Sequence, residues 1–214
     1  MKSQRGHTLL ELMVAMAIFG IILSAIFNIF IPGVKIFMVG RERVATQANV
    51  MISLKRIRME LCSTSNSSIT INSAEIYSST GEPDAISFLS PYSETERKIS
   101  LDSVTSTLPI WQKYVIYFHD RPSRELRRKV IHLPEPGPLA IALDHEKLYE
   151  LCLDNGTYPY SIVSKDIHKL SICRTSPYLV KIHINSRKKA AGFVGSQEQE
   201  SECFMEIYPH NTLN

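Results

Sequence analysis

The hydrophobic pattern divides the chain into stretches of different period. Leu12 to Val34 is a run of 23 residues without Asp, Glu, Lys or Arg, and a helix needs about 20 apolar residues to cross the hydrocarbon core of a bilayer. This segment is predicted to be a membrane-spanning helix. Pro32-Gly33 falls at its end. Proline removes a helical hydrogen bond and crowds the preceding turn, and glycine lowers helix propensity further, so a kink or a locally melted turn is expected there. Beyond it Val50, Leu54, Ile57 and Leu61 recur at 4-3-4 spacing and share one helical face, with Lys55, Arg56 and Arg58 largely away from it. A stripe of that kind needs a cover. This half-helix is expected to pack on the rest of the protein rather than lie on anionic lipid as an independent basic segment. The polar run STSNSS, Ser63 to Ser68, then ends the helix.

From Ile69 onward the period changes to two. Ile69 and Ile71 alternate with polar neighbours, Ala85 to Leu89 (AISFL) is a short apolar run, and residues 115 to 133 read as two strands around the turn Asp120-Arg121-Pro122-Ser123. Val180, Ile182 and Ile184 alternate with Lys181, His183 and Asn185, and Cys203 to Tyr208 (CFMEIY) forms a final strand. Ser186 to Glu202, rich in Lys, Gly, Gln and Glu, reads as a long exposed loop between the last two strands. The pattern predicts an α+β protein in which an antiparallel sheet packs against a helix.

Composition changes this picture little. A chain of 214 residues with 44% hydrophobic and 21% charged residues is an ordinary globular mixture, and a formal charge of +3 is too small to point to nucleic acid. The basic run Arg121, Arg124, Arg127, Arg128, Lys129 contains Glu125 and reads as a solvated face before it reads as a phosphate-binding one. The seven histidines are scattered. No His-Glu-x-x-His helix, nucleophile elbow or glycine-rich phosphate loop occurs, and His119-Asp120 and Asp144-His145-Glu146 are neighbours in sequence only. No enzyme, cofactor or metal is expected. Cys62, Cys152, Cys173 and Cys203 are too widely spaced to form the Cys-x-x-Cys pairs typical of zinc sites.

The informative chemistry is a single carboxylate. Glu11 opens the apolar run, and at the centre of a spanning helix a carboxylate costs roughly 2.5 to 3.5 kcal/mol. A secretory signal peptide cut after Ala15-Met16-Ala17 would leave an apolar core that is short and interrupted by Glu11. A plain anchor explains the length of the run but gives Glu11 no partner.

The stretch RGHTLLELMVAMAIFG, residues 5 to 20, resembles the N-terminal signature of type IV prepilins and type II secretion pseudopilins. The resemblance implies that a prepilin peptidase cuts between Gly6 and His7, that the new terminus at His7 is N-methylated, and that Glu11 is the family's assembly residue. His7 stands where the family usually carries phenylalanine. An α-ammonium at His7 has a reference pKa near 7.7 to 8.0. That cation, on a neighbouring subunit, would pair with Glu11 and reward one axial register, because an unpartnered carboxylate is expensive in a low-dielectric environment. Lys2 and Arg5 before the span face Lys35, Arg41 and Arg43 after it, so the charges do not fix the orientation. Orientation comes from the resemblance, which places the leader in the cytoplasm and the remainder outside it, anchored by one pass through the bacterial inner membrane. The implied parts are a leader (1–6), a membrane or filament-core helix (7–34), its amphipathic continuation (35–62) and a β-rich extracytoplasmic domain (63–214).

WQKYVIYFHD with RELRRKVIHL, then DIHKLSI and PYLVKIHIN, are similar in order to strands of the minor pseudopilin J and PilW-like minor pilins. The resemblance therefore implies a minor subunit of the tip or initiation complex. Its partners would be the peptidase, other pilin subunits, an inner-membrane assembly platform and membrane lipid, with nucleic acid disfavoured. Alternatives are a DNA-uptake minor pilin, or a membrane-anchored binding or enzyme domain with a prepilin-like N-terminus. Disulfides are permitted outside the cytoplasm, and four cysteines allow three full connectivities. The pair nearest in sequence, Cys152 and Cys173, is favoured, with buried free thiols as the other reading.

Overall fold

A computed structural model describes residues 8–73, 84–93, 98–101, 108–154, 156–176, 178–189 and 198–209. The chain divides into two compact units, Met1–Arg43 and Val44–Asn214. Helix α1, Leu9–Cys62, is 54 residues long and contributes to both.

In the first unit the helix is apolar on every side, and nearly all of its large side chains are exposed, from Leu9 to Phe37. Its apolar window is long enough to cross a membrane and has none of its residues buried within the protein. At 1.5 Å per residue, the charge-free run reaches about 35 Å, slightly more than the roughly 30 Å hydrocarbon core. The helix passes through Pro32 and Gly33 without interruption, so no melted turn forms. Proline withholds one hydrogen bond, while helical turns on both sides are already formed and hold the segment cooperatively.

The second unit is built on the buried stripe of α1. Val50, Leu54, Ile57 and Leu61 are at most 2% exposed and join one core cluster with residues from two sheets. After α1, a single 3-10 turn at Asn66–Ser68 is held by Ser68 Oγ donating to Ser65 O at 2.7 Å. It leads into β1 (Thr70–Asn72) and β2 (Ala85–Ser90). A small hairpin, β3 (Tyr92–Ser93) with β4 (Lys98–Ile99), precedes the central pair β5 (Trp111–Asp120) and β6 (Glu125–Gly137). Helix α2 (His145–Leu153), β7 (Tyr160–Ser164), β8 (Ile167–Ser176), β9 (Leu179–Lys189) and β10 (Glu198–Ile207) follow.

In place of the expected single sheet, the described strands form two main sheets beside the small β3–β4 pair. One has the order β1-β2-β5-β6-β7 and the other β10-β9-β8, all neighbours antiparallel. The chain changes sheets at Lys165-Asp166, where Asp166 adopts φ 60°. Asp166 O then accepts from Arg187 N at 3.0 Å, which starts β8 beside β9 rather than beside β7. Two further links tie the sheets: Ile167 N donates to Arg124 O at 2.9 Å, and Arg174 Nη2 donates to Ile69 O at 3.2 Å. The loop expected over Ser186 to Glu202 is also shorter than the composition suggested. Arg187 pairs with Glu200 and Ser186 with Ser201 in the β9–β10 ladder, because opposite charges face each other across the strands.

Helix α2 was not foreseen. Leu148 and Cys152, four residues apart, drop into a second core with Ala85, Ile116 and Phe118 on the opposite face of the five-stranded sheet. Asp144-His145-Glu146 is simply its first turn, with Leu148 N donating to Asp144 O at 2.9 Å.

Candidate functional site

The N-terminal motif begins outside the described residues, since Gly6 and His7 both precede Thr8. At Thr8 and Glu11 the geometry is explicit. Thr8 N donates to Glu11 Oε2 at 3.0 Å, and Glu11 N donates to Thr8 Oγ1 at 3.3 Å. This reciprocal pair is a capping box: two of the helix's first N–H groups, which have no partner in the preceding turn, are satisfied by side chains three residues apart. The spacing Thr-x-x-Glu carried that signal in the sequence. Glu11 thus has a local role in starting α1, besides any role it has toward a neighbour. A carboxylate in the first turn also faces the positive end of the helix dipole.

In the second unit the end of α1 is fastened to the five-stranded sheet through Glu60. Arg128 grips it twice, Nε at 3.1 Å from Oε2 and Nη2 at 3.1 Å from Oε1, while Tyr117 Oη donates to Oε2 at 2.9 Å. Burial, and then the adjacent Glu60 carboxylate, push the Tyr117 hydroxyl far above its ordinary value. Tyr117 is therefore a permanent donor.

The basic run is not a solvated face at its inner end. Arg127 pairs with Asp120 at 2.8 Å and Glu125 at 3.0 Å and stacks 4.2 Å from the Tyr160 ring centre. Arg128 is taken by Glu60. Lys129 is 0% exposed. Its Nζ donates to Leu151 O at 2.6 Å and to Asp154 O, beside the Phe118 ring. A cation there satisfies carbonyls at the C-terminal end of α2 and opposes the helix dipole. Arg121 and Arg124 remain exposed, with Arg121 3.3 Å from Asp84. Three of the five cations thus serve the fold instead of a polyanion.

All four cysteines are free thiols, so the Cys152–Cys173 bridge is not formed. The two side chains belong to different places. Cys152 is in the second core, where burial pushes its thiol up to about 12 and keeps it protonated. Cys173 lies on the outer face of the three-stranded sheet, opposite Lys181, in an open depression of about 440 Å³ with His183 and Glu202. Cys62 and Cys203 both pack against the main core. Among the described residues no group of three His, Cys, Asp or Glu side chains is placed to hold a metal.

His119 and Asp120 point to opposite sides of β5, as neighbours on a strand must. His119 is 3% exposed, and its Nε2 lies 3.0 Å from Ile167 O, an arrangement that makes Nε2–H the donor in the neutral ring. Its Nδ1 is buried with no hydrogen-bond partner. Burial lowers its pKa below the ordinary value. The unfolded chain therefore takes up the proton first as pH falls. Stability is full above about pH 6.5, the reference value, and declines as pH drops from there through the folded-state value. The urea midpoint should accordingly fall between about pH 7.5 and 5, and His119→Gln should show a shallower fall. Equal slopes in the two proteins would contradict this assignment.

Residues 1–27 match the family model described as the prokaryotic N-terminal methylation motif. No curated protein and no solved structure matches the chain. The motif implies processing by a prepilin peptidase and assembly with other pilins, and the one apolar N-terminal helix fits the single-pass anchor that such proteins carry. The chain thus carries the prokaryotic N-terminal methylation motif at the head of a long apolar helix that is followed by antiparallel sheets, an α+β organisation like that of type IV pilins.

Proposed function

We propose that the protein is a minor pilin or pseudopilin, a structural subunit of the tip or initiation complex of a type II secretion pseudopilus or a type IV pilus. The observation that carries this reading is the methylation motif over residues 1–27, which includes the capped start of a helix of 54 residues. In this reading residues 1–6 are a cytoplasmic leader, cleavage falls between Gly6 and His7, His7 is methylated, and residues 63–214 work outside the inner membrane. Residues 7–34 form the membrane or filament-core segment, and residues 35–62 continue it as the scaffold of the β-rich domain. The assembly platform and membrane lipid are the remaining contacts.

A second feature of α1 supports an assembling subunit. Val44, Met51, Ile52 and Met59 are 63 to 66% exposed and fall on one helical face, opposite the buried stripe. The scaffold half of the helix therefore has an apolar stripe on each side, one covered by the sheets and one open to a neighbouring helix.

In the monomer the Glu11 carboxylate has the Thr8 amide. A docked neighbour would offer it a full cation instead, so docking exchanges a dipole for a charge, and that difference sets the preferred register. Mass spectrometry of the protein from its native membrane should find a mature N-terminus at methylated His7. An intact Met1, or a terminus at Ile18, would overturn the reading. Gly6→Val should block leader removal, because the peptidase must admit a small residue beside the scissile bond, whereas Gly6→Ala should be at least partly processed. Equal mature product from Gly6→Val and the wild type would place the cut elsewhere.

A further inference from the structure

We propose that the open edge of β10 accepts an extended segment of a partner subunit, with lysine or arginine at alternate positions, as an added strand. The described strand edges differ in how they are protected. β1 is three residues long and lies beside β8, and β7 is five residues long. Beyond β7 the exposed edge of β6 carries Pro134 and Pro136, which have no N–H to offer. β8 has register shifts near both ends. β10 has none of these devices. It runs ten residues in unbroken register against β9, contains no proline, and pairs with no other described strand along its outer edge. Its inner side is anchored, with Ser201 and Ile207 buried and Cys203 and Met205 packed on the main core. A long, straight, fixed edge of unpaired peptide groups is a template for strand addition, in which main-chain hydrogen bonds supply affinity and alternate side chains supply choice.

The choice is written in charge. On the outer face β10 presents Glu200, Glu202, Phe204 and Glu206 in alternation, and β9 shows what suits that row. Arg187 stands opposite Glu200, with Nη2 3.5 Å from Oε2, and Lys181 stands opposite Glu206. Asn185 Nδ2 donates to Glu200 Oε1 at 2.6 Å, and His183 Nε2 lies 2.7 Å from Glu202 Oε1. After these contacts the Glu200 and Glu202 side chains are still 48% and 61% exposed, and Phe204 is 69% exposed. A strand added on the other side meets the same row. Cross-strand pairing then favours cations opposite the glutamates and an apolar residue opposite Phe204.

The same row rejects a second copy. Two antiparallel β10 strands set even-numbered residues against even-numbered ones, so Glu202 meets Glu206 when Phe204 faces itself, and Glu200 meets Glu206 in the adjacent register. The strand's source as another subunit rests on the assembly reading above, but the acceptor edge itself does not.

The test uses the full-length protein in detergent micelles and a short fluorescent peptide of alternating lysine and valine. Saturable binding is expected, weakening as salt is raised, with slowed amide exchange confined to β10. The matching glutamate–valine peptide should bind at least about fivefold more weakly, and Glu200→Gln with Glu202→Gln should lose a similar factor for the lysine peptide. A thermal melt of the double variant shows whether the hairpin is still folded, and the peptide comparison on wild-type protein stands without it. Equal binding of both peptides, no binding, or protection elsewhere than β10 would overturn the proposal. Peptide binding by a protein whose N-terminus proves unprocessed would support the acceptor edge and remove the assembly reading. Methylated protein that ignores the peptide would do the reverse.

Discussion

Glu11→Gln is expected to abolish subunit assembly while leaving helix α1, membrane insertion and leader removal as they are. The structure makes glutamine the informative replacement. Glu11 bonds the Thr8 amide as the third residue of a capping box, and glutamine fills that position as glutamate does. Only the charge is lost. Truncating one partner of a buried charge pair costs about 2 kcal/mol or more, roughly thirtyfold in an association constant. Cross-linking to partner pilins should fall by at least that factor. Glu11→Ala removes the cap as well, so it should add fraying of the first turn to the same assembly defect. In both variants insertion should be at least as efficient as in the wild type, since an intramembrane carboxylate is a cost to the span. Wild-type cross-linking in Glu11→Gln, together with its loss in Glu11→Ala, would assign Glu11 to helix capping and leave no role for its charge.

The second large effect is expected at the other end of the same helix. Glu60→Ala strands Arg128, whose side chain is only 13% exposed, and leaves the Tyr117 hydroxyl without its acceptor. The pair is largely rather than fully buried, with Glu60 24% exposed, so removing one member costs up to about 3 kcal/mol, the lower end of the range for fully buried pairs. For a folded unit of this size, that lowers the melting temperature by up to roughly 10 °C. Burial raises the stake on both sides of the pair, because neither the guanidinium nor the phenol recovers its water. The Glu60→Leu, Arg128→Met double variant should recover most of the loss, since it leaves no buried charge behind. Double-mutant analysis of thermal melts supplies the measurement. Additive losses from the two single changes would mean that the network does not act as a unit. Such a loss should leave leader processing unchanged, because Glu60 is remote in sequence from Gly6.

Local signals in the sequence were legible wherever neighbours in the chain decide the outcome. The charge-free run from Leu12 to Val34, the stripe Val50, Leu54, Ile57, Leu61 and the hairpin around Asp120–Ser123 all depend on side chains a few residues apart. Each is found as an element of the fold. The Thr8–Glu11 cap had the same local character, but a single role for Glu11, as a partner for a neighbouring subunit, concealed it. Helix α2 was masked by its flanks. In LDHEKLYELCLD only Leu148, Leu151 and Cys152 mark the inward face, and nine residues give the period little room to show.

The sequence by itself determined the apolar span, the amphipathic half-helix, the order of most strands and the methylation motif, because each rests on period, composition or a short contiguous signature. Tertiary structure decided the rest. It split the long strands into two main sheets, since pairing partners far apart in sequence are chosen by register and by the bend at Asp166. It turned Arg127, Arg128 and Lys129 from a basic run into internal partners for Asp120, Glu60 and the end of α2. It also put Cys152 in a core and Cys173 on an outer sheet face. A charge or a thiol acquires its role from what faces it, and what faces it is fixed only when distant strands meet.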